Sequence, residues 1–354
     1  MYPVVRRIHQ CEAEVSTETI LSHSAFQRLV ADYKDKRYKD GPMIFIFNHN
    51  ILRTALNWCC NTQNMSGVHE RSVFVALDKE AYDVVKRRHP RIRIIFFPVG
   101  CLQLKDKFTS RDPEYQLIFL LRTNIALALI RSKVAFWMCQ HDTFWRKNLL
   151  EFDLSTMEPF DVLFDSQGYK ENSTRRFMTN GANWFVRPTR ESLRLFEKSS
   201  HLLNNMYLLE LGVWAYYCAK RPQLICKHVP YSIITGWEWL YSSQRNAPWL
   251  IQLDGEDDSS KKDEANAGYG YNFLKPDLCS CNETAVKLAQ QRTAEGRVNV
   301  SQARSASKQK YIKAAEMSDL ALNTPWGRSV LLPYGLGMAS ITHRQPLPFQ
   351  LFIL

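Results

Sequence analysis

Short apolar segments alternate with helical segments through the first half of the 354-residue chain, and this alternation constrains the fold more than any other feature. The apolar segments have the length and composition of buried β-strands, and the stretches between them space their apolar residues as helices do. The predicted strands are MIFIF (43–47), SVFVALD (72–78), RIRIIFFPV (91–99) and VAFWM (134–138). Such an order is typical of a mostly parallel sheet with helices on both faces, so we predict an α/β fold with a Rossmann-like central sheet.

The second half of the chain continues this pattern and then loses it. Its segments are VLFDSQG (162–168), WFVRP (184–188), a helical tract from Glu191 to about Lys220, and PWLIQLDG (248–255). Beyond Leu274 the hydrophobic patterning fades. We expect a polar, peripheral segment over 1–42, a single α/β domain over 43–275, and a C-terminal tail over 276–354 that is disordered or loosely helical.

Composition excludes several classes of protein. Hydrophobic residues make up 45% of the sequence, which is typical of a folded globular chain. The net charge is +11, but the Lys and Arg residues are scattered, so we expect no nucleic-acid partner. The stretch nearest to a membrane span, LIFLLRTNIALALI (117–130), carries Arg122 at its centre and is predicted to be a buried helix instead. Nine cysteines without a C-x-x-C pair do not indicate a zinc finger.

Signals for the cellular compartment disagree. Four N-x-Ser/Thr sequons, which are weak indicators of a lumenal protein, occur at Asn64, Asn172, Asn282 and Asn299. The first residues, MYPVVRRIHQCEAEVS, have no signal-peptide core. Two alternatives therefore stay open: the protein is cytosolic, or the chain lacks its true beginning.

Polar residues follow three of the predicted strands. In parallel α/β sheets ligands bind beyond the carboxyl ends of the strands, and Asn48, Asp78 and Asp142 lie at such ends. A carboxylate on a rigid strand end can hold a divalent cation that bridges the phosphates of a nucleotide diphosphate. The alternative for Asp142 is that it caps a helix over TFWRKNLL.

The order of these elements resembles the nucleotide-diphospho-sugar transferase domain over about residues 43–275. That family contains retaining glycosyltransferases with the A-type (GT-A) fold, among them plant cell-wall xylosyl- and arabinosyltransferases. Its signature, a strand leading into Asp-x-Asp-x-x-Trp, is similar to Gln140-His141-Asp142-Thr143-Phe144-Trp145. A family arginine that approaches the sugar nucleotide corresponds to Arg122. The family's Asn-Gly-Gly turn and aromatic strand resemble NGANWFVRPT (180–189).

The resemblance implies transfer of a sugar, with retention, from a nucleotide-diphosphate donor to a glycan or glycoprotein hydroxyl in the Golgi lumen. A UDP-sugar is the favoured donor, and Mn2+ or Mg2+, with Mn2+ favoured, is the expected cation. The predicted catalytic residues are Asp142, which is also the metal ligand, Arg122 and Asp165. The residues predicted to bind the donor are Asn48, Asp78, Gln140, Gln252, Asp254, Gly255 and Lys261. The residues predicted to bind the acceptor are Asn180, Gly181, Asn183, Trp184 and Glu210.

Two departures from the family pattern keep a second hypothesis open. The first acid of the Asp-x-Asp pair is Gln140, which brings no charge to a metal. The family's later Asp-Gln pair has no clean counterpart, and Glu210 is the nearest candidate. A catalytically inactive relative that binds glycan or protein is therefore the alternative. A dehydrogenase or P-loop enzyme is disfavoured because neither G-x-G-x-x-G nor G-x-x-x-x-G-K-[ST] occurs at the required places.

Several of these residues also have purely structural interpretations. Arg122 could pair with Asp106 or Asp112, and Lys261 could lie in a solvated loop. Trp145 and Trp184 could be core aromatics. The side chain of His141 is expected to point away from the face that its neighbours use, because side chains alternate along a strand.

Overall fold

The structure is a computed structural model that describes residues 3–34, 40–101, 113–168, 179–253, 259–276 and 280–301, with 308–309 and 312–313. Its helices are α1 (Pro3–Val15), α2 (Thr17–Ser22), α3 (Ser24–Lys34), α4 (Leu52–Thr62), α5 (Val68–Arg71), α6 (Lys79–Arg88), α7 (Pro113–Arg131), α8 (Arg190–Asn205), α9 (Glu210–Lys220), α10 (Ser259–Tyr269) and α11 (Glu283–Ala294). Its strands are β1 (Met43–Phe47), β2 (Ser72–Ala76), β3 (Arg93–Phe96), β4 (Phe136–Cys139), β5 (Thr143–Trp145), β6 (Val162–Ser166), β7 (Thr179–Val186), β8 (Cys226–His228), β9 (Ile234–Gly236) and β10 (Leu250–Gln252).

A seven-stranded sheet in the order β3-β2-β1-β4-β7-β6-β8 forms the centre of the molecule. The four strands β3, β2, β1 and β4 are mutually parallel, whereas β7 runs antiparallel to both β4 and β6. A smaller sheet has the order β5-β10-β9. The predicted α/β class and the mostly parallel sheet are confirmed. Because β7 is reversed, its first residues meet the carboxyl ends of β4 and β6 at one edge of the sheet.

Two hydrophobic layers cover the sheet, as the alternation of side chains along a strand requires. On β1, Ile44 faces the layer that contains α1, α7 and α8, while Met43, Phe45 and Phe47 face the layer of α4 and α6. Helix α7 is buried around most of its circumference, which explains why its sequence is apolar on all sides. The predicted buried helix is thus confirmed. Among the described helices, none has the length and apolar character needed to cross a membrane.

The segment expected to be peripheral contributes to this same core. In α1, Ile8, Cys11 and Val15 are fully buried and pack in the layer of α7. Their spacing of three and four residues places them on one helix face, the pattern of an amphipathic helix that packs on a core. At the other end of the chain, α11 buries Val286 and Ala289 against the small sheet. Residues on both sides of the expected 43–275 domain therefore pack against it.

The described residues form three disulfide bonds, two of which connect distant parts of the chain, and the cysteine spacing predicts none of the three. They join Cys11 to Cys101, Cys60 to Cys281, and Cys218 to Cys226. The neighbouring Cys59 is a buried free thiol, as is Cys139. Cys59 packs in the hydrophobic layer of α4 and α6, whereas Cys60 packs in the cluster that includes Val286 of α11 and is bonded to Cys281.

Candidate functional site

The candidate site lies where the large and small sheets meet. Strand β4 ends at Cys139, and after three residues the chain enters β5, whose Thr143 pairs with Gln252 of β10. Asp142 occupies the connection between the two sheets. The alternative in which Asp142 caps a helix is wrong, because Thr143–Trp145 forms a strand that is antiparallel to β10.

Asp142 is 8% exposed, and both of its carboxylate oxygens accept hydrogen bonds. The Lys262 ammonium donates to Oδ2 at 2.7 Å, and the Gln252 amide Nε2 donates to Oδ1 at 3.0 Å. Burial acts to raise the pKa of Asp142, but the charge and hydrogen bond of Lys262, with the bond from Gln252, outweigh it and hold the pKa below its usual value. Asp142 is thus an anion with a lysine counter-ion.

A chain of amide side chains connects Asp142 to β7. Gln252 Nε2 also lies 3.2 Å from Gln140 Oε1, and Gln252 Oε1 accepts from Asn183 Nδ2 at 2.8 Å. The backbone N–H of Gln140 donates to Asn183 Oδ1 at 3.3 Å. Gln140 therefore takes part in a neutral hydrogen-bond network at the position where the family has an acid.

Asp165, at the end of β6, fixes the turn at the start of β7. Its Oδ1 accepts from the backbone N–H groups of Gly181 and Ala182 at 2.9 and 3.2 Å, and its Oδ2 accepts from the N–H of Asn183 at 2.9 Å and from Asn180 Nδ2 at 3.1 Å. Burial raises the pKa of Asp165 to about 6, against the opposing effect of these donors and of Arg122. Gly181 has a φ of +76°, which only glycine adopts without strain.

Arg122 and Glu210 form a buried ion pair under that turn. Nη1 of Arg122 lies 2.5 Å from Glu210 Oε1, and Nη2 donates to the carbonyl of Ala182 at 2.9 Å. Burial raises the pKa of Glu210 to about 7, although the Arg122 charge and the Thr123 hydroxyl oppose the rise. The structure therefore pairs Arg122 with Glu210, and the partners named in the structural alternative, Asp106 and Asp112, lie outside the described residues.

Residues at the ends of β1 and β2 form a second, more open group. Asp78 Oδ1 accepts from the N–H of Ala81 at 2.8 Å and so caps α6, while its Oδ2 accepts from the N–H of His49 at 2.7 Å. The ring Nδ1 of His49 is 3.2 Å from the same oxygen, and Asn48 beside it is buried. Since β1 lies between β2 and β4, this group is adjacent to Asp142 along the sheet edge.

The remaining predicted residues divide into three cases. Asp254 and Gly255 lie outside the described residues, and Lys261 is exposed on α10 while its neighbour Lys262 contacts Asp142. Trp184 is a core residue that stacks on Phe196, with the Arg122 guanidinium 5.4 Å from its ring centre. Trp145 is likewise fully buried. The predicted residue was Lys261, and it is the helical phase of α10 that directs Lys262 instead to Asp142.

His141 points away from these groups, as the strand alternation predicts. Its ring is surrounded by Phe45, Phe47 and Phe74 at centroid distances of 4.8, 5.4 and 4.6 Å. Burial lowers the pKa of His141 to about 3, so the ring is neutral and belongs to the aromatic core.

The described donor groups do not fit a divalent cation well. Hard cations prefer several oxygen ligands with negative charge, whereas Asp142 is here the one carboxylate beside Gln140, and its oxygens contact Lys262 and Gln252. Within the part of the chain that the structure describes, no three His, Cys, Asp or Glu side chains lie together as a metal site would require.

A comparison with known protein families agrees with the sequence resemblance. A family described as nucleotide-diphospho-sugar transferase matches residues 67–265, more than half of the 354-residue chain. No curated protein matches the sequence. Solved structures similar to the chain include mouse xyloside xylosyltransferase 1 in its apo form (11% identity, TM-score 0.41, covering 62% of this chain and 99% of that one). A second is the glycosyltransferase GlyE of Streptococcus pneumoniae TIGR4 (10% identity, TM-score 0.41, covering 73% of this chain and 65% of that one). A third is the galactosyltransferase LgtC with donor and acceptor sugar analogues (10% identity, TM-score 0.40, covering 71% of this chain and 95% of that one).

Proposed function

The chain belongs to the nucleotide-diphospho-sugar transferase family of glycosyltransferases, and from this we propose that it transfers a sugar from a UDP-sugar to a hydroxyl group of a glycan or glycoprotein, with retention. The observation that carries the proposal is the polar network of Asp142, Gln252, Asn183 and Lys262 at the junction of the two sheets. A buried network with both charged and neutral hydrogen-bond donors is suited to binding a diphosphate and a sugar side by side.

The leaving diphosphate is proposed to bind beside Lys262. When the bond between the sugar and the diphosphate breaks, negative charge develops on the oxygen of the β-phosphate. A fixed positive group next to that oxygen stabilises the charge, and removal of one such partner costs about 3 kcal/mol in the barrier. Asn48, His49 and Asp78, at the neighbouring strand ends, are proposed to contact the nucleoside because they border the same edge.

Asp165 is proposed to be a positioning residue. Each of its oxygens accepts from two N–H groups of the turn, so neither is directed at a sugar carbon. Asp142 and Glu210 are similarly paired, with Lys262 and Arg122. We therefore favour attack from the face of the departing diphosphate. The acceptor oxygen forms a bond to the anomeric carbon as the bond to the diphosphate breaks, and the hydroxyl proton passes to the diphosphate.

The acceptor is proposed to approach over the turn that Asp165 holds. Asn180 is half-buried there, whereas Gly181 is buried, with the side chains of Leu211 and Trp214 next to the position that a Cβ would occupy. Trp184 and Glu210 lie beneath the turn and are 0% and 1% exposed, so they support it through Arg122 and do not contact an acceptor in this arrangement. The proposed acceptor site is therefore centred on the half-buried Asn180, while Asn183, which is 0% exposed, belongs to the hydrogen-bond network behind it.

The divalent cation that the family resemblance implies has no role in this proposal. Its one expected ligand, Asp142, already has a partner in Lys262, and Gln140, at the other motif position, brings no negative charge. Each step above uses groups of the chain and of the diphosphate alone.

We further propose that the protein resides in the Golgi lumen. Three disulfide bonds support an oxidising compartment, since such bonds are rare in proteins of the cytosol. The sequon residues Asn64, Asn282 and Asn299 are all exposed, as modification in the secretory route would require. If the protein expressed in animal cells carries no glycan that an N-glycosidase removes, and retains free thiols at Cys60 and Cys281, the lumenal assignment fails.

A second candidate function is binding without transfer, which Gln140 favours because an acid of the family signature is lost there. The two are separated by incubating the full-length protein with a panel of UDP-sugars and simple glycoside acceptors. Transfer predicts release of UDP that increases with acceptor and falls at least tenfold in Asn183→Ala, but not in the exposed control Lys287→Met. The anomeric configuration of the product, read by NMR, tests retention. Saturable UDP binding without any UDP release would favour the binding protein.

A further inference from the structure

Lys262 occupies an electrostatic position that is unusual for a lysine. It lies in the first turn of α10, where the partial positive charge of the helix N-terminus disfavours another cation. Its ammonium is nevertheless largely buried, with the side chain 19% exposed, and it contacts Asp142 at 2.7 Å. Such a placement needs a buried anion to be stable, and Asp142 is that anion.

Helix α10 holds this lysine in a defined place. Ala265 and Tyr269 are 2% and 3% exposed and pack in the hydrophobic cluster behind β5 and β10. Asp263, next to Lys262, pairs with Arg53 of α4 at 3.0 Å. The ammonium is therefore presented by a packed helix, which is the arrangement expected of a preorganised charge.

A divalent cation at Asp142 would conflict with that arrangement. The ion would have to displace the ammonium from Oδ2 or lie next to it, and two positive groups at such a distance repel strongly where water is scarce. Gln140 would offer a neutral oxygen that accepts from Gln252 at 3.2 Å, in place of a second negative charge. The charges around Asp142 thus complement an ammonium better than a divalent ion.

We propose that the donor site works without a divalent cation: the ammonium of Lys262 meets the diphosphate of the donor, and Asp142 is a positioning residue that holds it there. This inference rests on the proposed sugar transfer. A lysine ammonium has three N–H donors and can contact a carboxylate and a phosphate together. The glutamine at position 140 then avoids a second negative charge that would repel the diphosphate.

The test is the affinity of the full-length protein for UDP, measured by titration calorimetry at constant ionic strength in EDTA, in Mg2+ and in Mn2+. The wild-type dissociation constant is expected to agree within about twofold in the three conditions. Lys262→Met is expected to weaken binding at least tenfold in each, and Lys262→Arg to restore it to within about threefold. Lys287→Met, an exposed lysine of α11, is the matched control and should bind as the wild type does.

Two further variants separate the roles of Lys262 and Asp142. Asp142→Asn, which can still accept a hydrogen bond from Lys262, should keep UDP binding that is independent of the cation. Gln140→Asp restores an Asp-x-Asp sequence and should create a response to Mn2+ that the wild type lacks. The circular dichroism spectrum and melting temperature of every variant establish that it is folded before its affinity is compared.

The outcomes distinguish this inference from the sugar transfer on which it rests. Wild-type binding that increases more than tenfold with Mn2+ and disappears in Asp142→Asn would overturn the role of Lys262 and leave the proposed transfer standing. If Lys262→Met binds UDP as tightly as the wild type does, the proposed role of Lys262 is overturned as well. Absence of UDP binding by the folded wild type in all three conditions would overturn both this inference and the proposed transfer from a UDP-sugar.

Discussion

Asp142 and Asp165 are buried carboxylates at the same junction, linked through Gln252 and Asn183, yet they differ in what surrounds them. Asp142 has a charged lysine against it, and its pKa is lowered. Asp165 accepts mainly from neutral N–H groups, and its pKa is raised to about 6 because burial prevails. A direct counter-ion therefore offsets desolvation here in a way that several amide donors do not.

The different partners of Asp142 and Asp165 also suit the two carboxylates to different roles. The partner of Asp142 is a side chain on a separate helix, so the pair can rearrange when an anionic ligand arrives. The partners of Asp165 are the backbone N–H groups of one turn, and their geometry is set by the carboxylate itself. We infer that the first region is suited to ligand binding and the second to holding its shape.

The largest expected effect is at the ion pair under the turn. Arg122→Met leaves Glu210 buried without its counter-ion and removes the bond to the Ala182 carbonyl, so the free energy of unfolding should fall by about 3–5 kcal/mol. Urea denaturation measures it. Arg190→Met, at an exposed arginine, is the control. The double variant Arg122→Met/Glu210→Met should recover part of the loss, and a double variant as unstable as the single one would contradict the ion-pair explanation.

Asp165→Asn is expected to come next, with a loss of about 2–3 kcal/mol in the free energy of unfolding at pH 4. The amide NH2 cannot accept, so at least one N–H among those of Gly181, Ala182 and Asn183 loses its partner in a buried place. Urea denaturation again gives the value, and Asp83→Asn at an exposed helix position should cost less than about 0.5 kcal/mol. Equal losses in the two variants would mean that Asp165 does not hold the turn.

The two carboxylates should also respond to pH in opposite directions. Asp165 has a raised pKa in the folded state, so its contribution to stability is complete below about 3.8 and is lost as the pH rises through about 6. The free energy of unfolding of the wild type, minus that of Asp165→Asn, should therefore decrease by on the order of 2–3 kcal/mol from pH 4 to pH 7. This follows from the shift in pKa, at about 1.36 kcal/mol per pKa unit. The pKa of Asp142 is lowered in the folded state, so its contribution to stability is present above the pKa that it has in the unfolded chain. This contribution is lost only as the pH falls through the lower pKa of the folded state. Urea titrations at several pH values check both signs.

The smallest effect concerns the adjacent lysines of α10. Lys262→Met should lower the free energy of unfolding by about 1–2 kcal/mol, because Asp142 loses its counter-ion in a largely buried place. Lys261→Met should change it by less than about 0.5 kcal/mol, since that side chain is exposed. Thermal or urea unfolding of both variants measures the two changes in the free energy of unfolding. A larger loss of unfolding free energy in Lys261→Met than in Lys262→Met would show that Lys261, and not Lys262, faces Asp142.

Sequence patterns predicted the architecture because strands and helices have different spacings of apolar residues. The alternating strands β1–β4, the buried helix around Arg122 and the turn at Gly181 could all be predicted, since each leaves a local signal. The role of α1 in the core was missed, although its buried residues Ile8, Cys11 and Val15 have the i, i+3, i+7 spacing of one helix face. The disulfides were missed for a related reason: Cys60 and Cys281 are separated by 221 residues, and pairing depends on the fold.

For the site, the sequence by itself determined which segments converge. A strand end with Asp142, a turn with Asn183 and a lysine-bearing segment after β10 follow from local composition and the known edge of a parallel sheet. Only the tertiary structure decided that Lys262 and not Lys261 meets Asp142, and that Arg122 pairs with Glu210. The physical reason is that ion pairs depend on distances of a few ångströms between residues 88 and 120 positions apart, and no local pattern encodes such distances.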